Sequence, residues 1–86
     1  MNYKGEFYQG KWEGYGILEF DENRKYIGEF SLGWWNGIGI YICNEGIYYG
    51  NFKDGNMEGV GARIFNNGDI ECGQYKNDKL YGYVIL

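Results

Sequence analysis

The side chains that carry out chemistry are nearly missing from this chain. It has no His, no Thr and one Ser, Ser31, so neither a Ser-His-Asp nor a Cys-His nucleophile system can be assembled. Cys43 and Cys72, with no His to help them, fall short of a four-ligand zinc site. The carboxylates Asp21, Glu22, Glu45, Asp54 and Asp69 are spread over separate turns without calcium-loop spacing. Gly-x-Gly triplets begin at Gly14, Gly37 and Gly59, but no helix start or Lys-Ser/Thr pair follows to cradle a phosphate. Neither catalysis nor a metal or other cofactor is expected. What the chain has in quantity is aromatic surface: three Trp, ten Tyr and five Phe in 86 residues. The chemistry open to such residues is packing and recognition through ring faces.

The elements that must position these rings follow from a repeated phrase, Tyr-x-Gly-x-aromatic-x-x-Gly-x-x-x-Gly-x-Gly. It runs through Tyr3, Gly5, Phe7, Gly10, Gly14 and Gly16, then Tyr26, Gly28, Phe30, Gly33, Gly37 and Gly39. A third copy has Tyr48, Gly50, Phe52, Gly55, Gly59 and Gly61; a worn fourth keeps Gly73, Tyr75 and Gly82. Starts at 3, 26, 48 and 71 make residues 1–86 one repeat domain, whose units bury their apolar faces against their neighbours. Within a unit, Tyr3, Gly5 and Phe7 share one face while Lys4, Glu6 and Tyr8 take the other, as period two demands. After a loop of about six residues, Gly14, Gly16, Leu18 and Phe20 alternate against Tyr15, Ile17 and Glu19 on a returning strand. The expected fold is all-β, a single-layer meander of about eight strands built from four hairpins. Gly beside the rings leaves open backbone on which a neighbouring ring can lie, so aromatic packing replaces a second layer.

The phrase resembles the MORN repeat over nearly the whole chain. Phe20 with Asn23, and Phe65 with Gly68, match the aromatic and short turn that close each unit of that family. Copy two departs from it, with Cys43 at the aromatic position and one residue fewer before Tyr48. Copy four departs further, carrying Glu71 for Tyr, Asp78 for the loop Gly and Val84 for the last Gly, as a terminal cap does. The resemblance implies a β-hairpin array that serves as a scaffold, or as a targeting module beside a catalytic domain.

Charge narrows the partners. The net charge is −4 and Lys and Arg are scattered singly, which argues against nucleic acid and against an anionic membrane surface. No stretch has the length and apolarity of a signal segment or a membrane span, so the cytoplasm is the expected location. The two Cys sit at different repeat positions and are expected as free thiols.

Two surfaces are candidates for binding another protein or peptide. Trp12, Trp35, Met57 and Leu80 occupy equivalent loop positions, either as packing plugs under their loops or as an exposed apolar ridge. Trp34, adjacent to Trp35, is expected to meet solvent and to act as an interface anchor. The second surface is the face opposite the Gly-aromatic core. Returning strands place Tyr15, Ile17, Ile38, Ile40, Ile42, Val60 and Ile64 there, and outgoing strands offer Glu6, Glu29, Asn51 and Gln74, so apolar and polar rows alternate to form grooves. The expected function is a non-enzymatic protein–protein interaction module, scaffold, adaptor or inhibitor. An aromatic cage for a small cationic or sugar-like ligand is the alternative, and lipid-headgroup binding is a third. The C-terminal strand, with Tyr83, Val84, Ile85 and Leu86, lacks any charge or Pro and is expected to pair with a second copy as a homodimer.

Overall fold

Strict alternation through each phrase yields two strands per repeat. The computed structural model describes residues 1–83. Its strands are β1 (Asn2–Tyr8), β2 (Lys11–Glu19), β3 (Lys25–Ser31), β4 (Trp34–Cys43), β5 (Gly46–Lys53), β6 (Asn56–Phe65), β7 (Ile70–Lys76) and β8 (Lys79–Tyr83). Each pairs antiparallel with the next in one open sheet 41 Å long, the all-β single-layer meander expected. Among the described residues there is no helix.

The hairpin turns are tighter than the expected loop of about six residues. They are two residues long, and both residues have positive φ: 50° at Gln9 and 77° at Gly10, 52° at Leu32 and 85° at Gly33. The mirror-image turn this defines matches the right-handed twist of the flanking strands. In the fourth repeat Asp78 takes the Gly position at φ 69°, a conformation that Asp tolerates better than most residues. Trp12, Trp35, Met57 and Leu80 therefore sit on the returning strands instead of in loops.

Each of the first three hairpins carries the same irregularity. Gly5 faces Gly16 and Phe7 faces Trp12, so Glu6 alone opposes Glu13, Gly14 and Tyr15. The extra residues bulge at Gly14, whose φ of 69° suits Gly. A bulge strips the ladder of an acceptor, and the Glu6 carboxylate supplies one by taking the Tyr15 N–H at 2.7 Å. Glu29 does the same for Ile38 at 2.6 Å. In the third repeat Asn51 instead donates from Nδ2 to the Val60 carbonyl at 3.3 Å.

The Tyr that opens each phrase lies flat over the second Gly of the facing Gly-x-Gly. A methyl group added at Gly16 would stand 2.6 Å from the Tyr3 ring, and Gly39 and Gly61 are as tightly covered by Tyr26 and Tyr48. Each hydroxyl then donates to a carbonyl in the bulge: Tyr3 to Glu6 at 2.7 Å, Tyr26 to Glu29 at 2.8 Å and Tyr48 to Asn51 at 3.2 Å. The ring is thus held by packing at its face and by a hydrogen bond at its tip. Tyr26, fully buried, stacks on Trp35 at 4.5 Å and receives the edges of Phe30 and Phe52, each at 5.1 Å. Leu18, Phe30, Tyr48, Phe52 and Tyr75 complete the core. Phe7, expected among the core rings, is instead 61 % exposed, because among the described residues Tyr3 alone packs a ring against it.

The worn fourth repeat compensates for its missing Tyr. Glu71 accepts the Tyr75 hydroxyl at 2.8 Å, and Arg63 lies over the Tyr75 ring at 5.3 Å while donating to the Asp78 carbonyl at 2.8 Å. A cation–π and hydrogen-bond network stands where a fourth ring would have packed.

Substituting Gly39→Ala, which drives a methyl into the Tyr26 ring, is expected to cost about 3 kcal/mol in urea unfolding. Gly82→Ala, with open space around it, should change stability by no more than about 0.5 kcal/mol. Equal costs at the two sites would contradict the ring-on-glycine arrangement. Alkali supplies a second test. Burial pushes the Tyr48 hydroxyl up to about 12 and also raises Tyr26 and Tyr75, the last helped by its bond to Glu71. Above the ordinary value of 10.0 the unfolded chain loses these protons while the folded chain keeps them, so their stabilisation, complete below that pH, is lost as pH rises. The urea midpoint should fall steadily from about pH 10 upward, in step with tyrosinate absorbance.

Candidate functional site

Period two divides the candidate binding residues between the faces. Trp12, Trp35 and Met57 share the core face with the Tyr rings and are half-buried against them, as is Leu80. Trp12 stacks on Tyr3 at 4.9 Å with the planes 16° apart, and Trp35 packs on Phe20, Tyr26, Tyr41 and Phe52. These four side chains form no exposed ridge. They are plugs, because their place on the returning strands turns them inward beneath the mirror-image turns. Trp34, one position earlier, faces the other way at 58 % exposure, with its ring lying beside Gly55 of the next turn.

Tyr15, Trp34, Ile38 and Ile40 lie together on the face opposite the core, which is built from three rows running across the strands. The middle row is Lys4, Ile17, Ile27, Ile40, Tyr49, Ala62 and Cys72. On one side of it run Ile42, Ile47, Ile64 and Ile70; on the other, Tyr15, Glu29, Ile38, Asn51, Val60 and Gln74. The expected alternation of apolar and polar rows is therefore not found. From β3 to β7 the polar side chains Glu29, Asn51 and Gln74 fall in one row, Lys4, Glu19 and Lys25 lie toward the β1 end, and apolar residues on both outgoing and returning strands join into a continuous patch. Tyr15, Ile38, Tyr49, Val60, Ile64 and Ile70 are all exposed. At its centre lies a shallow hollow of about 350 Å³ lined by Ile38, Tyr49, Asn51, Val60, Ala62 and Cys72.

Glu29 has a different task from the one expected of it. It lies on this face, but its Oε2 is bonded to the Ile38 N–H and its carboxylate fills the space beside Gly37. It is a strut of the bulge before it is a contact for a basic partner. Tyr49, Ala62 and Cys72 were absent from the expected set. The signal for Tyr49 and Cys72 lay in one repeat position, the residue after the opening Tyr, which changes from Lys4 to Ile27, Tyr49 and Cys72 along the chain, while Ala62 stands where Ile17 and Ile40 do.

Cys43 and Cys72 are free thiols on opposite faces. Cys43 borders a second hollow, of about 160 Å³, on the core side with Tyr41, Tyr48, Met57, Arg63 and Phe65. The missing residue of this repeat has shortened its link to a two-residue turn, Cys43 facing Gly46 directly, and the small thiol leaves unfilled the place Phe20 takes in the first repeat. The hollow is aromatic, as a ligand cage needs, but the Arg63 guanidinium on its wall opposes a cationic ligand. At the C-terminal end Tyr83 pairs with Gly73 through its backbone, whereas Val84, Ile85 and Leu86, the rest of the expected self-association segment, lie outside the described residues.

Comparison with known families agrees with this geometry. The model of the MORN repeat matches three successive stretches, residues 3–22, 26–47 and 48–70. No curated protein matches the chain.

The hollow beside Cys43 makes Cys43→Phe a cavity-filling substitution, expected to raise stability by about 1 kcal/mol in urea unfolding. A loss of several kcal/mol would show that neighbouring rings already close that space.

Proposed function

Because this chain belongs to the MORN repeat family, a non-catalytic repeat module associated with protein or membrane-lipid interactions, we propose that it is a non-enzymatic protein–protein interaction module that binds through the face opposite its ring core. The observation that carries this reading is the continuous apolar patch around Ile38, Tyr49 and Val60, which the fold leaves exposed while a separate set of rings forms the core. Exposed apolar patches of this extent mark interaction surfaces. A shallow hollow walled by Ile38, Val60 and Tyr49, with the exposed Tyr15 on the same face, suits an extended or helical segment with aliphatic anchors. Trp34 extends the same face toward the turns and supplies the residue type most enriched among interface hot spots.

The net charge of −4 favours a partner with a basic flank, by steering more than by contact energy. Lipid headgroups have less support. Lys4 and Lys25 are the cations that the three rows bring to this face, and they stand at its N-terminal end away from the hollow.

Affinity capture from the source cell tests the reading. Ile38→Lys with Val60→Lys is expected to reduce the captured partner at least tenfold, and Trp34→Ala to weaken its binding by about 2 kcal/mol, both without a change in fold by circular dichroism. Undiminished capture by the folded lysine variant would refute the assignment of this face. Capture replaced by sedimentation with anionic vesicles would favour the lipid reading.

A further inference from the structure

The three junctions between successive repeats share most of their contacts. The phrase's second aromatic is covered by the opening Tyr and the plug of the repeat before it: Phe30 meets Tyr3 at 5.1 Å and Trp12 at 5.8 Å, and Phe52 meets Tyr26 at 5.1 Å and Trp35 at 5.5 Å. The second turn residue donates its N–H to the carbonyl of the preceding plug. Gly33 does so to Trp12 at 3.0 Å, Gly55 to Trp35 at 3.0 Å and Asp78 to Met57 at 3.1 Å. At two of the three junctions the first turn residue donates to the carboxylate after the plug, Leu32 to Glu13 at 3.0 Å and Asn77 to Glu58 at 3.1 Å; at the other, Asn36 stands in that place and its Nδ2 donates to the Asp54 carboxylate at 3.5 Å. Each hairpin thus offers its predecessor an aromatic face and two turn N–H groups. In return it receives a Tyr ring, a plug and the plug's carbonyl, joined at two of the junctions by a carboxylate.

On β1 the receiving half of this junction is complete and uncovered. Phe7 is 61 % exposed where Phe30 and Phe52 are 3 % and 4 %. The N–H groups of Gln9 and Gly10 have no acceptor among the described residues, although the turn is already in the mirror-image conformation its equivalents use. The outer backbone of β1 is unpaired as well.

We propose that the β1 edge is a docking site for a β-hairpin from outside residues 1–86, one that presents a Tyr together with a large apolar residue followed by Glu, as Tyr3, Trp12 and Glu13 do toward β3. A second copy of this chain does not carry that set. The last strand among the described residues, β8, belongs to a repeat with Glu71 at the Tyr position, Leu80 at the plug and Tyr81 where the carboxylate belongs. Two β1 edges brought together could pair their backbones, but neither would bring a plug followed by a free carboxylate to the other's turn N–H groups, since the Glu6 of β1 is already bonded to the Tyr15 N–H. The site is separate from the apolar face proposed above for partner binding and stands whether or not that reading holds.

The probe is a synthetic peptide of residues 1–22, which carries the donor set and is titrated into the full-length chain while backbone amide resonances are followed. Saturable shifts of Gln9, Gly10 and the β1 amides are expected, weakened at least tenfold by Trp12→Ala or Glu13→Gln in the peptide, and by Phe7→Ala in the protein. The peptide variants leave the protein untouched, so the comparison holds even if Phe7→Ala disturbs β1. A second test builds the donor set onto β8 with Glu71→Tyr, Leu80→Trp and Tyr81→Glu. That chain, folded by circular dichroism, should form concentration-dependent head-to-tail oligomers that adding Phe7→Ala dissolves. No amide shift up to about 1 mM peptide, shifts indifferent to Trp12 and Glu13, or a folded triple variant that stays monomeric would each overturn the proposal.

Discussion

The sheet depends on one contact made three times: a Tyr ring lying flat on the bare backbone of a Gly across the hairpin, with its hydroxyl bonded to the carbonyl of the facing bulge. A single-layer sheet has no second layer against which to bury its apolar side. Here the rings turn parallel to the sheet instead of standing off it, and this is sterically possible only where the strand below has no Cβ. The bulge serves the same contact. It brings a carbonyl under the phenol and swings the plug of the returning strand back over the ring. Glu6 and Glu29 then satisfy the amides that the bulge releases.

Once the rings lie flat, each covers the next, and the core becomes a chain of aromatic pairs along the sheet: Trp12 on Tyr3, Phe30 between Tyr3 and Tyr26, Phe52 between Tyr26 and Tyr48, then Tyr75 on Tyr48. Edge-to-face and stacked pairs of this kind contribute about 0.5–1.5 kcal/mol each beyond the area they bury. The chain ends in opposite ways. At the C-terminal side Arg63, Glu71 and Asp78 close it with a polar network, while at the N-terminal side Phe7 leaves it open. Because this face alone forms the core, the other is free to be apolar for reasons unrelated to folding.

Repeat length, strand number and the inward or outward sense of nearly every strand residue were legible in the sequence, because a two-residue alternation and a repeated phrase report them directly. Most core rings were legible too; Phe65 borders the hollow beside Cys43 instead of joining the cluster, and the exposure of Phe7 follows from its neighbours and not from its own residue type. The tight turns were not. Gln-Gly and Leu-Gly are weaker turn signals than Asn-Gly, although Gln9 and Leu32 both take a positive φ. That error placed Trp12, Trp35 and Met57 in loops and left open the choice between plug and ridge. Glu29 was misread for a related reason: a bulge is invisible to a strict alternation, so the amide it releases, and the carboxylate that must meet it, could not be anticipated.

The division of labour between the two faces is tested most directly by equilibrium urea unfolding of the triple variant Ile38→Thr, Tyr49→Thr, Val60→Thr, which removes much of the exposed apolar patch while keeping residues suited to strands. If the ring core alone holds the sheet, the free energy of unfolding should stay within about 1 kcal/mol of the parent chain. A loss of several kcal/mol would show that the outer patch is part of the core that folds the protein, and that it is not a surface kept for a partner.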